Sequence, residues 1–178
     1  NCYLFKAEED SREEWGKLWQ DIGTSLMTGG GIGVDVSAFR PSGRTLGRTG
    51  GVSSGPIPFL YATNEIGRQV MQGGSRRSAM YGSMNWMHED AENFLTIKNW
   101  HNMPVPGTDI SMAQAKMADF NFPCPLDMMN ISLNYDDAWL KDPMTDTFRT
   151  NVRQALMTGE PGFSFNFGDK QGETLRNA

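Results

Sequence analysis

The sequence predicts an α/β fold whose strands are mostly parallel, as an open sheet or a barrel. Two observations carry that expectation. Strand-like and helix-like runs alternate along the whole chain, and the helical runs open on capping residues and close on glycine clusters. No internal repeat chooses between sheet and barrel.

The elements follow in order. Asn1 to Lys6 reads as a short buried strand, and Asp10-Ser11-Arg12-Glu13-Glu14 supplies a capping box for the next helix. Trp15, Leu18, Trp19, Ile22 and Leu26 recur at helical spacing until Thr28-Gly29-Gly30-Gly31-Ile32-Gly33 stops the helix. Val34 to Ser37 reads as a second strand. A long loop from Ala38 to Gly55 follows, too polar and glycine-rich to form a core. Ile57 to Met71 carries Phe59, Leu60, Ile66 and Val70 at helical spacing, and Gln72-Gly73-Gly74-Ser75-Arg76-Arg77 breaks it. A strand from Ser78 to Trp86 and a short helix from Asp90 to Lys98 come next. The proline-bearing stretch from Asn102 to Leu126 gives no readable element. Asn130 to Tyr135 alternates like a strand, Thr145 or Asp146 caps a helix containing Phe148, Val152, Ala155 and Leu156, and Gly162 to Phe167 is an aromatic-rich strand.

Composition narrows the class. The net charge of −5, with both signs interspersed, argues against a nucleic-acid surface, which needs a concentrated basic face to displace counterions. No apolar run approaches the roughly 20 residues of a membrane span. The chain reads as soluble, and its two cysteines, Cys2 and Cys124, build no disulfide framework, which favours a reducing, cytoplasmic setting. His88 and His101 lie too far from them to suggest zinc and read as ordinary histidines. Twelve methionines fit an adaptable core. The start at Asn1, inside a strand-like run, and the end at Ala178 suggest a single-domain fragment, 1–178, with neighbours expected on both sides.

Some groups invite chemistry. The glycines at 29–33 follow a helix and precede a strand, the reverse of a dinucleotide fold, and no Gly-Lys-Ser/Thr phosphate loop is present. Three consecutive glycines still exceed what a helix cap needs and suggest close approach of a ligand or backbone. Arg40, Arg44 and Arg48 in one loop, with Arg76 and Arg77 in another, suit phosphate oxygens, although any single surface arginine is more often merely solvated. Cys2, taken alone, reads as a small buried hydrophobe.

Taken together, Asn1-Cys2-Tyr3, the glycines at 29–33, Arg40-Pro41-Ser42-Gly43, Gly50-Gly51-Val52-Ser53-Ser54-Gly55-Pro56 and Gln72-Gly73-Gly74-Ser75-Arg76-Arg77 resemble ribonucleotide reductase large subunits in wording, order and spacing. Thr158-Gly159-Glu160-Pro161-Gly162 looks like the family's segment before its active-site strand, and Asn177 like the asparagine of its Asn-x-Cys-x-Glu motif. The resemblance is weakest from Asn102 to Leu126. It implies a ten-stranded α/β barrel, of which this chain supplies roughly the first half. It also implies thiyl-radical reduction of a ribonucleotide to a deoxyribonucleotide for DNA synthesis.

The same resemblance makes Cys2 one member of the reducing cysteine pair and Asn177 the residue that orients the radical site. The radical cysteine follows Asn177 by two positions, so the fragment alone is expected to be inactive. Asn1, Gly30, Gly31 and Arg76 are implied at the substrate. Asp10, Arg40, Arg48, Gln72 and Ser75 are implied at an allosteric site for a deoxynucleoside triphosphate. The family's second basic position aligns with Gly47 or Arg48, and charge selects Arg48. The implied partners are thioredoxin or glutaredoxin, and a second copy of the chain or a radical-generating subunit. No cofactor is expected on the fragment itself. In the parent the radical comes from adenosylcobalamin or from a dimetal subunit, a choice these residues leave open. The competing reading is a non-catalytic nucleotide-binding α/β domain that keeps the arginine loops and lacks the chemistry.

Overall fold

A computed structural model describes residues 2–47, 50–70 and 77–168. Five parallel strands form one sheet in the order β1-β2-β3-β4-β5, which is also their order in sequence. They are β1 (Cys2–Lys6), β2 (Gly31–Asp35), β3 (Met80–Asn85), β4 (Asn130–Tyr135) and β5 (Gly162–Phe165). Between them run α1 (Arg12–Met27), α2 (Ile57–Gln69), α3 (Ala91–Thr96), α4 (Met112–Ala118) and α5 (Asp146–Thr158). A doubly wound sheet reverses its strand order partway across; this one never does, so it forms an arc of an α/β barrel.

Alternation of side chains gives the sheet two unlike faces. Ile32 and Val34 of β2, Met80 and Met84 of β3, and Ile131 and Leu133 of β4 are buried in the core together with Leu18, Ile22, Phe59 and Phe94 of the helices. The other face carries Cys2, Gly31, Asp35, Ser83, Asn134 and Ser164, held in step by the pairings Cys2↔Gly31, Asp35↔Ser83 and Asn134↔Ser164. Asn134 Nδ2 bridges three strands there, donating to Asp35 Oδ2 at 3.2 Å and Ser83 Oγ at 3.1 Å. Two aromatic clusters finish the apolar side. Trp15, Trp19 and Phe39 surround Phe59 under α1 and α2, with Trp19 stacked on Phe59 at 5.2 Å. Trp139, Phe148 and Phe165 surround Tyr135 near β5.

The structure corrects several expectations. The first strand is not buried: Cys2 is exposed, and Tyr3 and Leu4 are 44% and 38% exposed, because β1 is paired only on its β2 side. The second strand begins at Gly31, three residues before the expected Val34, and ends at Asp35 instead of Ser37. Its glycines belong to the ladder because larger side chains would strike β1: a Cβ on Gly33 would lie 2.9 Å from Leu4. Asp35 Oδ1 takes hydrogen bonds from both the amide and the hydroxyl of Ser37, and these turn the chain out of the sheet. The capping box at α1 is half formed. Ser11 Oγ accepts from the Glu14 amide at 3.1 Å, but Glu14 reaches past the cap residue to the Glu8 amide. The stretch from Asn102 to Leu126 contains α4, opened by a complete box between Ser111 and Gln114. The helix after Pro56 stops at Gln69, with Val70 already extended. β3 and α3 are each three residues shorter than expected, and β5 is two residues shorter.

Candidate functional site

A parallel sheet places all strand starts on one rim and all strand ends on the other. Among the described residues, those expected at the substrate lie on one rim and those expected at the effector on the other. Asn1, Arg48, Gln72, Ser75, Arg76 and Asn177 lie outside the described residues.

The rim of strand starts holds Cys2, Gly30 and Gly31. A Cβ on Gly31 would stand 3.3 Å from Cys2 Sγ and 3.5 Å from the Ala79 side chain, so glycine there leaves room around the thiol. Gly30 is closely packed in a different way. A Cβ there would be 2.7 Å from the Tyr3 ring, so the triple glycine serves close side-chain packing as well as the turn.

Farther along the same rim lies a cleft of about 280 Å³, lined by Ala79, Met80, Lys98, Asp127, Asn130 and Glu160 among others. Lys98 Nζ donates to both Glu160 oxygens at 2.9 Å and to the Met129 carbonyl, while Glu160 Oε2 accepts from the Ile131 amide at 2.8 Å. Burial holds the lysine below its usual range, opposed by the Glu160 charge. The Asp127 side chain is fully buried and accepts from Asn64 and Arg68 of α2 and Lys116 of α4. Burial alone would raise its pKa, but Arg68, Lys116 and Asn64 overcome that and hold it at about 2. Asp127 therefore anchors both the end of α2 and the segment that sequence could not read. Beside it Arg77 lies 4.4 Å over the Phe120 ring and donates to Asn121, so this arginine is engaged and not simply solvated.

The rim of strand ends holds Asp10, after β1, and Arg40, after β2. Thirty positions apart in sequence, they form an ion pair from Arg40 Nε to Asp10 Oδ2. The loop bearing Arg40 is more ordered than its composition suggests. Thr45 and Val52 form an antiparallel bridge, with the Gly43 amide bonded to the Ser53 carbonyl at 2.8 Å and the Ser53 amide to Arg44 at 2.7 Å. Arg44 pairs with Glu89 in an exposed contact.

Sequence reading missed several residues. His88 is buried, its Nε2 at 2.8 Å from the Phe39 carbonyl and its Nδ1 accepting from the Asp90 amide at 3.0 Å. Asp90 Oδ2 accepts from the Ser42 amide at 2.9 Å. Asp127, Lys98 and Glu160 were missed too, because each takes partners from distant sequence; the only local hint was a charged residue within an apolar setting. Burial raises the Cys124 thiol pKa. Among the described residues no helix is long and apolar enough to cross a membrane.

Comparison with known proteins meets this geometry. Residues 1–166 match the family model of the ribonucleotide reductase barrel domain. The chain is 35% identical over 174 residues to the vitamin B12-dependent ribonucleoside-diphosphate reductase of Thermoplasma acidophilum, spanning 92% of this chain and 21% of that protein. It is 36% identical over 101 residues to the ribonucleoside-diphosphate reductase large subunit of Danio rerio, spanning 55% of this chain and 12% of that protein. Among solved structures, the alpha subunit of the class Id ribonucleotide reductase of Actinobacillus ureae superposes with a TM-score of 0.67 at 17% identity, over 92% of this chain and 26% of that one. This last likeness supports the fold alone. The chain thus spans about a fifth of the first of these relatives, and it belongs to the ribonucleotide reductase barrel-domain family.

Proposed function

We propose that this chain is part of the catalytic subunit of a ribonucleotide reductase, and that Cys2 is one of the two thiols that supply the reducing electrons. The observation that carries this reading is the exposed Cys2 thiol at the start of β1, facing Gly31 across the ladder, where the missing side chain leaves room for a sugar. A dithiol reductant must sit within reach of the ribose yet at a fixed distance from it, and a hydrogen-bonded strand meets both needs.

The net reaction replaces the ribose 2′ hydroxyl by hydrogen. The hydroxyl leaves as water, and two thiols give two electrons and two protons as they join in a disulfide. A thioredoxin- or glutaredoxin-type protein then returns the pair to thiols. The radical that starts the sequence belongs to the parent, from adenosylcobalamin or a dimetal subunit. Among the described residues no three His, Cys, Asp or Glu side chains converge on a metal position. Asn177 orients the radical site, while Asn1, Gly30, Gly31 and Arg76 surround the substrate.

On the opposite rim, Asp10 and Arg40 suit a deoxynucleoside triphosphate effector, the carboxylate for a ribose hydroxyl and the guanidinium for phosphate. Arg48, Gln72 and Ser75 complete that site, and the segment from Gln72 to Ala79 relays effector identity to the substrate. Coupling two distinct sites in this way is allostery in the thermodynamic sense.

Cys2→Ser in the full-length parent tests the assignment. It should abolish multiple turnover with ribonucleotide while substrate binding stays near wild type. Turnover sustained by the serine variant would show that Cys2 only packs. Residues 1–178 alone should show no dithiol-driven turnover.

A further inference from the structure

The Arg40 loop is fastened at its base to the turn after β3, and the fastening lies on either side of the arginine. The buried His88 ring holds the Phe39 carbonyl at 2.8 Å, and the Asp90 carboxylate holds the Ser42 amide at 2.9 Å. Both side chains are less than a tenth exposed. His88 Nδ1 is occupied as an acceptor by the Asp90 amide, so the ring must present its Nε2 hydrogen to Phe39. One turn thereby grips the chain immediately before Arg40 and two residues after it. The other arm of the loop closes on the same point: a Cβ on Gly55 would fall 2.8 Å from Asp90 Oδ2 and 2.9 Å from the Ser42 nitrogen.

From this geometry we propose that His88 and Asp90 are positioning residues of the effector site, acting on the triphosphate through the backbone of residues 39–42. The inference rests on the reading of Asp10 and Arg40 as effector ligands. A guanidinium whose backbone is pinned on both sides loses little freedom when it grips phosphate, so affinity depends on the clasp without either residue touching the ligand. The exposed Arg44–Glu89 pair lies at the same junction and contributes little, being open to solvent.

The test uses the full-length parent with dTTP as the probe and reads the equilibrium dissociation constant beside turnover without effector. Ser42→Pro is the sharpest variant. Ser42 and Gly43 are the central residues of a turn closed by the Arg44 amide on the Pro41 carbonyl, and Gly43 has φ +81°, so the backbone at 42 suits proline, whose Cδ takes the place of the amide hydrogen and pushes the Asp90 carboxylate away. Ser42→Pro and Asp90→Ala should each raise the dTTP dissociation constant by roughly tenfold, the range expected for losing a charge-assisted hydrogen bond. Turnover without effector should hold. Asp90→Asn, which keeps both the shape and an oxygen acceptor for Ser42, should hold affinity to within about threefold of wild type. If Ser42→Pro binds dTTP like wild type while Arg40→Ala binds weakly, the clasp is wrong and the effector reading stands. If Arg40→Ala also binds like wild type, the effector reading fails and the clasp fails with it. Should Asp90→Ala not fold, Ser42→Pro alone decides.

Discussion

The two rims of the sheet are built on different principles. At the strand ends, Asp10, Arg40, Ser42, His88 and Asp90 are fastened to one another by ion pairs and short-range bonds. At the strand starts, Cys2 is exposed and faces a glycine, and the nearest dense bonding lies deeper, around Asp127 and Glu160. A rim that must hold one charged ligand in one pose gains from pinned side chains. A rim where chemistry happens on the ligand needs an accessible thiol on a rigid strand, with its supports set back. The contrast teaches that order here follows the task of each rim and not its distance from the core.

The largest expected effect tests the open rim. Cys2→Ser should remove multiple turnover in the parent and leave its thermal midpoint near wild type, because serine replaces the thiol with a group of nearly the same size; a marked fall in thermal midpoint would break the contrast. Next in size is the set-back support. Asp127→Ala should destabilise the parent by about 3–5 kcal/mol in denaturant unfolding, since it leaves Lys116 without its ion-pair partner and Arg68 with only the exposed Glu65.

The same carboxylate predicts a pH dependence. Its pKa is about 2 in the folded chain against an ordinary 3.8, so the folded state favours the ionised form. Its contribution is therefore full above about pH 4 and fades as pH falls toward about 2. Urea midpoints between pH 5 and pH 2 should show that decline in the wild type and lack it in Asp127→Asn. A parallel slope in both would assign the acid sensitivity elsewhere.

The pinned rim is tested by Arg40→Ala, which should weaken triphosphate binding about tenfold or more and flatten the effector's influence on substrate choice. Unaltered affinity would make the loop a structural hairpin only. The smallest effect belongs to Arg44→Ala. Its pair with Glu89 is more than half exposed on both sides, so stability should change by about 0.5 kcal/mol or less. A larger loss would mean that this contact, and not the clasp at Asp90, secures the loop.

Local order determined what the sequence showed by itself. The alternation of strands and helices, the cap at Ser11, the start of α2 at Pro56 and the cap at Thr145 all rest on neighbours within a few residues, and they are where periodicity and capping placed them. The motifs around Cys2, Gly30, Arg40 and Gln72 pointed to the family for the same reason, as words of contiguous residues. The complete capping box at Ser111 and Gln114 was equally local and was overlooked among the prolines. Tertiary structure alone decided the rest. Whether Cys2 is buried depends on what pairs with β1, and whether Gly31 belongs to a turn or a strand depends on the neighbouring strands' side chains. The most distant partners of the Asp127, Asp90 and Glu160 carboxylates come from 63, 48 and 62 residues away, respectively. No periodicity or cap reports such pairs. A buried charge is stable only where folding brings donors to it, and that meeting is a property of the packed chain and not of any stretch of it.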